Sequence, residues 1–274
     1  MSVLAWLAAA GLVALLAWLG RARWARRRRF RRLRETLLQP NAAADRFDET
    51  TLARLPDPAR AYLRHAIPPD TPLPRTVDLR LSGSLRVSEG GDWVPFEARE
   101  RLCPERGFLW EARIGALRRV PLEGGDWLLG DDAGSEFALG GWWPVIRRDE
   151  EELARSAAGR LVVEMAWLPA ALTPQRGATW ASGDPHRAVV TPAGSTTPMS
   201  VLVDAGGALR QVSVVRRRVD PQGRVSVSPF GLVVEEEARV QGLAVPVRVI
   251  GVWGIGTDDH FEFFRAEVTD VAWH

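Results

Sequence analysis

The sequence contains one cysteine and no lysine, and each shortage excludes a class of function. A lone cysteine, Cys103, rules out an intramolecular disulfide framework and a multi-cysteine zinc site. Without lysine there is no Gly-Lys-Ser/Thr phosphate loop, and a Gly-x-Ser-x-Gly nucleophile elbow is also missing from the sequence. All 36 basic residues are arginine, which is typical of a biased genomic composition, so an arginine by itself is weak evidence for function.

The sequence does contain enough apolar residues for a sizeable core. Of its 274 residues, 46% are hydrophobic and 26% are charged, which excludes wholesale disorder. The length fits one membrane segment followed by a single domain of roughly 230 residues, or at most two small domains.

Near its start the chain has an uncharged apolar run, Val3–Leu19. In a helix these 17 residues reach roughly 26 Å, the short end of what crosses a bilayer core. Trp6 and Trp18 lie near its two ends, where interfacial aromatic side chains are expected. A cleaved signal peptide is the alternative, but it normally carries positive charge before the apolar run, and here only two uncharged side chains precede it. We therefore predict a transmembrane anchor over residues 1–20 that contacts the bilayer through residues 3–19.

Nine arginines lie within 15 residues of the end of this run. Such a cluster resists translocation, so we expect a single-pass protein of the cell membrane with its N-terminus outside and its C-terminal domain in the cytoplasm. The cluster also fits attraction to anionic lipid head groups; binding to nucleic-acid phosphates is the alternative, which a neighbouring membrane span disfavours. Setting aside these arginines and Glu35 leaves 27 basic and 33 acidic residues, a net charge of −6, so we expect no nucleic-acid partner.

The rest of the chain divides into a spacer and a β-rich domain. We expect an arginine-rich juxtamembrane segment and spacer over residues 21–55 and a soluble domain over residues 56–274. A short helix opens the domain, with Asp57 as its N-cap and Pro58 in the first helical position. The proline-rich segment 68–74 then favours an extended connector.

Beyond this connector the apolar period changes to two, because Val77, Leu79 and Leu81 alternate with polar residues. About twelve strand candidates follow one another, separated by breaks rich in Gly, Pro and Asp, one of them at 124–126. Short loops between so many strands predict antiparallel pairing, since parallel neighbours need long crossovers.

One long helix interrupts the strands over about residues 150–168. Asp149 is the expected cap, and Pro169 ends or kinks the helix. The pattern predicts a mainly β (α+β) fold: a large curved antiparallel sheet or half-barrel with one long helix packed on its concave face, plus an N-terminal transmembrane helix.

Several short motifs in the soluble part resemble those of a known group of proteins. They are Leu55-Pro56-Asp57-Pro58, Tyr62-Leu63-Arg64-His65-Ala66, Arg106-Gly107-Phe108-Leu109-Trp110, Ala158-Gly159-Arg160 through Glu164, Trp167-Leu168-Pro169, Pro229-Phe230-Gly231-Leu232 with Glu235-Glu236, and Gly256-Thr257 with Phe263-Phe264-Arg265-Ala266. On these residues the chain resembles an uncharacterised bacterial family of membrane-anchored proteins, a domain of unknown function. The resemblance covers most of residues 50–272 and implies no activity and no catalytic residues. The order of strands and helix also resembles the half-barrels that shuttle lipoproteins, which implies a sheet wrapped over an apolar cavity.

The long helix carries a charge pair on its apolar face. Steps of 100° place Glu164 at the centre of that face, with Arg160 one turn earlier and about 40° away. A carboxylate among apolar side chains costs several kcal/mol unless it is paired and hydrogen-bonded. The pair is therefore either a structural ion pair at the rim of the core or a polar anchor in a ligand cavity with Trp167 and Leu168 in its walls.

Trp142 and Trp143 follow two glycines and are a second candidate site. Adjacent residues on a strand face opposite sides, so one ring must point away from the core, towards a lid, a ligand or a membrane surface. We predict that the two rings contribute to the walls of the same cavity.

Metal binding and nucleophilic catalysis find little support. The Asp-Asp-His sequence at 258–260 lacks a second histidine nearby, and Cys103 has no helix N-terminus to lower its pKa. The three arginines at 216–218 alternate faces on a strand and are interpreted as solvated, with an anion site as the alternative. We therefore expect no metal and no cofactor.

Together these patterns predict a membrane-anchored, non-enzymatic domain that binds a lipid-like or other apolar ligand. No catalytic residue is assigned, and the predicted ligand-binding residues are Arg160, Glu164, Trp167, Leu168, Trp142 and Trp143. One alternative is a hydrolytic enzyme in the same cavity with Glu164 as general base, which needs a second titratable group such as His65, His186 or Asp184. The other is a membrane scaffold for cytoplasmic protein partners.

Overall fold

The computed structural model of the chain describes residues 3–38, 45–115, 120–148, 151–219 and 225–274. In this part of the chain the α-helices are α1 (Val3–Leu37), α2 (Asp57–Ala66) and α3 (Glu151–Glu164). Short 3₁₀ helices cover Glu49–Leu52, Met165–Trp167, Pro169–Leu172 and Pro174–Arg176. The strands are β1 (Val77–Leu85), β2 (Val94–Cys103), β3 (Gly107–Ile114), β4 (Leu122–Leu129), β5 (Asp132–Leu139), β6 (Trp143–Arg148), β7 (Thr179–Ser182), β8 (Arg187–Thr191), β9 (Met199–Val203), β10 (Leu209–Val219), β11 (Val225–Val240), β12 (Leu243–Trp253) and β13 (Phe261–Trp273).

All these strands lie in one antiparallel sheet, in the order β6-β5-β4-β3-β2-β1-β13-β12-β11-β10-β9-β8-β7. Neighbours in the sheet are neighbours in sequence except β1 and β13, which pair from Val77 opposite Trp273. The edges of the sheet are therefore β6 and β7, and the helical segment from α3 to Arg176 connects one edge to the other. The predicted mainly β fold with antiparallel pairing is confirmed.

The sheet curves around α3. This helix contacts β3, β4 and β5 on one arm of the sheet and β10 on the other, so the two arms face each other across it. Ala157 and Leu161 of α3 are buried in the main core together with Phe108 and Val214 from the two arms. The predicted placement of the long helix on the concave face is confirmed.

The α-helix itself is shorter than the predicted 150–168. It ends at Glu164 and continues as 3₁₀ turns, in which Pro169 and Pro174 occupy first-turn positions where their missing N–H groups have no helical partner to lose. The predicted cap, Asp149, lies outside the described residues.

Two strand boundaries differ from the sequence prediction. The glycines of 124–126 do not break the chain but lie inside β4, because a residue without a side chain lets β5 approach: a Cβ on Gly124 would lie 2.0 Å from the carbonyl oxygen of Glu136. The edge strand β6 begins at Trp143, so of the two tryptophans that the sequence analysis treated as adjacent on a strand only Trp143 lies in one.

The short helix α2 packs against β8, β9 and β12, with Tyr62 and Leu63 buried in the main core. Pro56 occupies the N-cap position, and Asp57 is already helical and pairs with Arg60 instead of capping. The helix is confirmed, but the predicted cap is wrong by one residue.

The helix α1 is continuous, and its two halves have different surroundings. The first half is apolar and exposed, and the helix is long and apolar enough to cross a membrane by length and composition. The second half packs on the face of the sheet opposite α3, where Phe30 and Leu33 contact Cys103 and Trp127. The arginine-rich part of the predicted 21–55 spacer is therefore a helix docked on the domain.

Arginines of this docked half contact acceptors on the same face of the sheet. Arg29 Nη1 lies 3.2 Å from Glu136 Oε2, and Arg34 pairs with Glu111. Arg26 Nη2 donates a hydrogen bond of 2.6 Å to the carbonyl oxygen of Gly141. Apolar packing and charge pairing together fix α1 to the outer face.

Candidate functional site

A cavity of about 770 Å³ lies between α3 and the concave face of the sheet. Its volume is in the range of small-molecule sites, roughly 300–1,000 Å³. Eight aromatic side chains line it, namely Trp110, Phe137, Trp167, Phe230, Trp253, Phe261, Phe263 and Phe264. Both arms of the sheet therefore contribute to one apolar wall.

The aromatic wall is packed ring against ring. The centroid of Phe230 lies 4.7 Å from that of Trp253 and 5.8 Å from that of Phe263. Gly251 leaves room for this arrangement, because a Cβ at that position would lie 3.1 Å from the Phe263 ring and 3.0 Å from Cβ of Phe264.

Next to Trp110 of this wall, Arg160 of α3 is surrounded by carboxylates from three elements. Its Nε lies 2.5 Å from Glu164 Oε1, its Nη1 lies 3.1 Å from Asp126 Oδ2 on β4, and its Nη2 lies 3.5 Å from Glu100 Oε1 on β2. The guanidinium carbon also lies 4.6 Å from the ring centroid of Phe108. The predicted pair is thus part of a four-residue charge cluster.

Burial and the neighbouring charges set the pKa values of the groups in this cluster. Burial raises the pKa of Glu100 well above its ordinary value, and the neighbouring Glu164 carboxylate raises it further. Burial alone would lower the pKa of Arg160, but Glu164, Glu100 and Asp126 outweigh that effect and raise it. Arg160 therefore stays charged, while Glu100 keeps its proton to a higher pH than a free glutamate.

A second guanidinium, that of Arg216 on β10, enters the same cavity without a carboxylate partner among the described residues. Its Nη2 donates to Ser156 Oγ at 2.8 Å, and its buried Nε has no hydrogen-bond partner. The guanidinium carbon lies 4.2 Å from the Phe230 centroid and 4.9 Å from that of Trp253. Burial lowers the pKa of Arg216 to about 9, and the charge of Arg160 contributes to the shift.

The interpretation of the arginines at 216–218 as solvated is therefore wrong for two of them. Arg216 and Arg218 line the cavity, and the intervening Arg217 is exposed on the other side of the strand. The alternation of the three side chains between the two faces of β10 was predicted correctly. The inward face, however, is covered by α3 and by the arm of the sheet that contains β3, β4 and β5.

The structure brings three of the six predicted ligand-binding residues to the cavity. Arg160, Glu164 and Trp167 line it, and Trp167 Nε1 donates a hydrogen bond of 3.0 Å to the carbonyl oxygen of Pro246. Leu168 is fully buried and lines a separate pocket of about 30 Å³, because the 3₁₀ turn after Glu164 rotates it away from the cavity.

The prediction that Trp142 and Trp143 form cavity walls is also wrong. Both rings contact α1: Arg23 Cζ lies 4.4 Å from the Trp142 ring centroid, and Trp143 meets Trp18 edge to face at 6.5 Å. They remain 49% and 51% exposed. The two glycines before them carry the chain round a turn, which presents both rings to the helix on the outer face.

Sequence reasoning missed Glu100, Asp126 and Arg216. Glu100 carried a usable signal, since it occupies the inward register of β2 between Phe96 and Leu102, where a carboxylate interrupts an apolar stripe. Asp126 was taken for part of a turn, and nothing local distinguishes Arg216 from its neighbours.

The other candidates of the sequence lie away from the cavity. His65 pairs with Glu237 at 3.1 Å, the turn at 258–260 is exposed, and neither His186 nor Asp184 lines the cavity. Burial raises the pKa of the Cys103 thiol, which opposes a nucleophilic role. Within the described ranges, no three His, Cys, Asp or Glu side chains are arranged to hold a metal ion.

Comparison with known proteins gives a family. A family model described as "Family of unknown function (DUF6544)" matches residues 45–266, and no curated protein matches the chain.

Among solved structures, a LolA superfamily protein from Nitrosomonas europaea is similar at 10% identity and a TM-score of 0.42, covering 79% of this chain and 92% of that one. A putative outer membrane lipoprotein-sorting protein domain from Vibrio parahaemolyticus is similar at 9% identity and a TM-score of 0.42, with 73% of this chain and 85% of that chain covered. A DUF1329 family protein from Desulfovibrio piger has 8% identity and a TM-score of 0.40, with coverage of 73% and 86%. The resemblance to a family of unknown function is confirmed.

Proposed function

The chain belongs to the DUF6544 family of unknown function, and we propose that it is a membrane-tethered, non-enzymatic binding protein that holds a lipid-like or other apolar molecule between α3 and the sheet. The single observation that carries this proposal is the aromatic-lined cavity of about 770 Å³. Protein interiors are normally packed as densely as organic crystals, with few voids larger than a water molecule. A space of this size lined by eight aromatic side chains is suited to an apolar guest, because burial stabilises by about 25 cal/mol per Å² of apolar surface.

The tether is α1. Its first half exposes Leu, Val, Ala and Trp side chains along its whole length, which suits lipid and not water. Its second half is fixed to the outer face of the sheet, so the domain and the anchor form one body. In this arrangement the exposed rings of Trp18, Trp142 and Trp143 lie together where the apolar half ends, as interfacial tryptophans do.

The arginines after the span serve two purposes in this proposal. Arg29 and Arg34 pair with carboxylates of the sheet, whereas the exposed Arg27, Arg28 and Arg32 are available to anionic lipid head groups. The excess of arginine next to the span keeps this flank on the cytoplasmic side, with the N-terminus outside. Protease added to intact spheroplasts tests this orientation: the domain is expected to survive until the cells are lysed, and digestion before lysis would refute it.

Ligand binding is tested by filling the cavity. Ser135 lines it from β5, and Ser84 of β1 lies on the opposite face of the sheet from the cavity-lining Leu85. Native mass spectrometry of the detergent-solubilised full chain is expected to show a bound apolar mass for the native protein and for Ser84→Trp, and none for Ser135→Trp. Repeated recovery of an empty native chain from lipid-rich preparations would overturn the proposal.

The two alternative functions receive less support. A general base needs a free carboxylate, but Glu164 is held by Arg160, and the histidines proposed to assist it lie outside the cavity. A scaffold would recruit partners through Trp142 and Trp143, but any partner would compete with α1, which already contacts both rings.

A further inference from the structure

The arginines that line the cavity differ in how their charge is balanced. Arg160 has three carboxylates within 3.5 Å, so it offers little to an incoming anion. Arg216 and Arg218 of β10, together with Arg86 and Arg147, line the same cavity and have no carboxylate within ion-pair distance in the part of the chain that the structure describes. The cavity therefore carries a surplus of positive charge, even with Glu100, Asp126 and Glu164 all ionised.

Arg216 is the member of this group that water reaches least. Its Nε is buried and makes no hydrogen bond to the described part of the chain, and the face of its guanidinium lies on Phe230 and Trp253. A buried cation is costly unless a charge or hydrogen-bond acceptor compensates it, and cation–π contacts replace only part of its hydration. The lowered pKa of Arg216 reflects the same lack of compensation.

Arg218 provides a second guanidinium group next to that of Arg216. Residues 216 and 218 lie on the same face of β10, about 6.6 Å apart along the strand. The guanidinium of Arg218 lies over Trp253 at 5.4 Å and Phe261 at 5.7 Å, so both arginines stand beside the aromatic wall. Guanidinium groups bind carboxylates and phosphates in a bidentate manner, and two of them can share one phosphate.

We propose that the ligand is an anionic amphiphile, whose carboxylate or phosphate head pairs with Arg216 and Arg218 while its apolar chain lies along the aromatic wall. This inference rests on the proposed function and adds the charge of the ligand to it. It also moves the polar anchor from Arg160 and Glu164, where the helix pattern placed it, to β10.

The test uses the full chain in nanodiscs of zwitterionic phosphatidylcholine, with empty nanodiscs to subtract partition into lipid. The probes are decanoate, decyl phosphate, decanol and inorganic phosphate, and binding is measured by isothermal titration calorimetry. The variants are Arg216→Gln, Arg218→Gln and the charge-retaining Arg216→Lys. Arg217→Gln is the matched control, since it removes an arginine from the opposite face of the same strand.

The native chain is expected to bind decanoate and decyl phosphate at least tenfold more tightly than decanol, and inorganic phosphate at least a hundredfold more weakly than decyl phosphate. Arg216→Gln and Arg218→Gln are expected to remove the preference over decanol without weakening decanol itself, which also shows that the variants are folded. Arg217→Gln is expected to keep the preference, and Arg216→Lys, which retains the charge without the bidentate guanidinium, is expected to keep only part of it.

Three results would overturn the proposal in distinguishable ways. Equal affinity for decanol and the charged probes would refute the head-group assignment and leave the proposed function intact. Binding of inorganic phosphate as tight as that of decyl phosphate would indicate a site for a small anion. Failure of every ten-carbon probe to bind would refute the proposed function together with this inference.

Discussion

Gly159 of α3 lies so close to Arg216 of β10 that a Cβ on the glycine would be 2.9 Å from the Cβ of the arginine. Cβ atoms do not approach heavy atoms this closely, so the helix crosses the strand at this distance only because residue 159 has no side chain. The contact holds the stem of Arg216 against α3 and leaves its guanidinium over Phe230. The position of the unpaired charge in the cavity thus depends on a glycine in the middle of a helix.

Gly159→Leu is expected to lower the free energy of unfolding by about 1–3 kcal/mol, because overpacking outweighs the better helix propensity of leucine. Thermal or urea unfolding of the detergent-solubilised chain measures the change. Ala158→Leu, on the exposed side of α3, is the control and is expected to change stability by less than about 0.5 kcal/mol. Equal effects of the two substitutions would show that the helix does not rest on β10 at this point.

Arg160→Met is expected to destabilise the fold by about 3–5 kcal/mol, since it leaves three carboxylates without their shared cation. Adding Glu100→Gln and Glu164→Gln to this variant is expected to restore part of the loss, because Asp126 is then the one carboxylate of the cluster left without its cation. Chemical unfolding curves of the single and triple variants provide the measurement. A triple variant less stable than Arg160→Met alone would contradict the charge-cluster description.

Glu100→Gln is expected to make the fold less sensitive to rising pH. The pKa of Glu100 is raised in the folded state, so above its ordinary value of 4.5 the folded chain holds a proton that the unfolded chain has released. Stability conferred by that proton is complete below pH 4.5 and decreases as the pH rises through the folded-state pKa. The denaturation midpoint of the native chain, relative to that of Glu100→Gln, should therefore decrease as the pH rises above 4.5. A difference between the midpoints of the two proteins that stays constant with pH would contradict a raised pKa of Glu100 in the folded state.

Cys103 is expected to report on whether α1 stays docked. The thiol is fully buried under Phe30 and Leu33, and burial raises its pKa, so maleimide labelling of the native chain should be slow. Leu33→Ala is expected to accelerate labelling at least tenfold by loosening the helix, whereas Arg32→Ala, on the exposed side of α1, should leave the rate unchanged. Rapid labelling of the native chain would indicate that the second half of α1 is detached from the sheet.

Much of the architecture could be read from local periodicity. The alternation of Val77, Leu79 and Leu81 reproduces the inward face of β1, and the spacing of Arg160 and Glu164 predicted a pair on the inward face of α3. These features follow from the 2.0 and 3.6 residue periods of the backbone, which any short stretch of sequence displays. The glycines at 124–126 were misread as a turn because glycine occurs both in loops and inside strands whose neighbours approach closely.

Local sequence was enough to predict most of the strands and helices, the apolar segment at the N-terminus with its arginine flank, and the pairing of two charges one helical turn apart. It did not predict which remote residues surround them: Glu100 and Asp126 beside Arg160, Arg216 beside the aromatic wall, and Trp142 and Trp143 on the far side of the sheet against α1. These placements follow from strand order, sheet curvature and the docking of α1, all of which depend on contacts between residues far apart in the chain. No periodicity within one segment records which other segment will cover it.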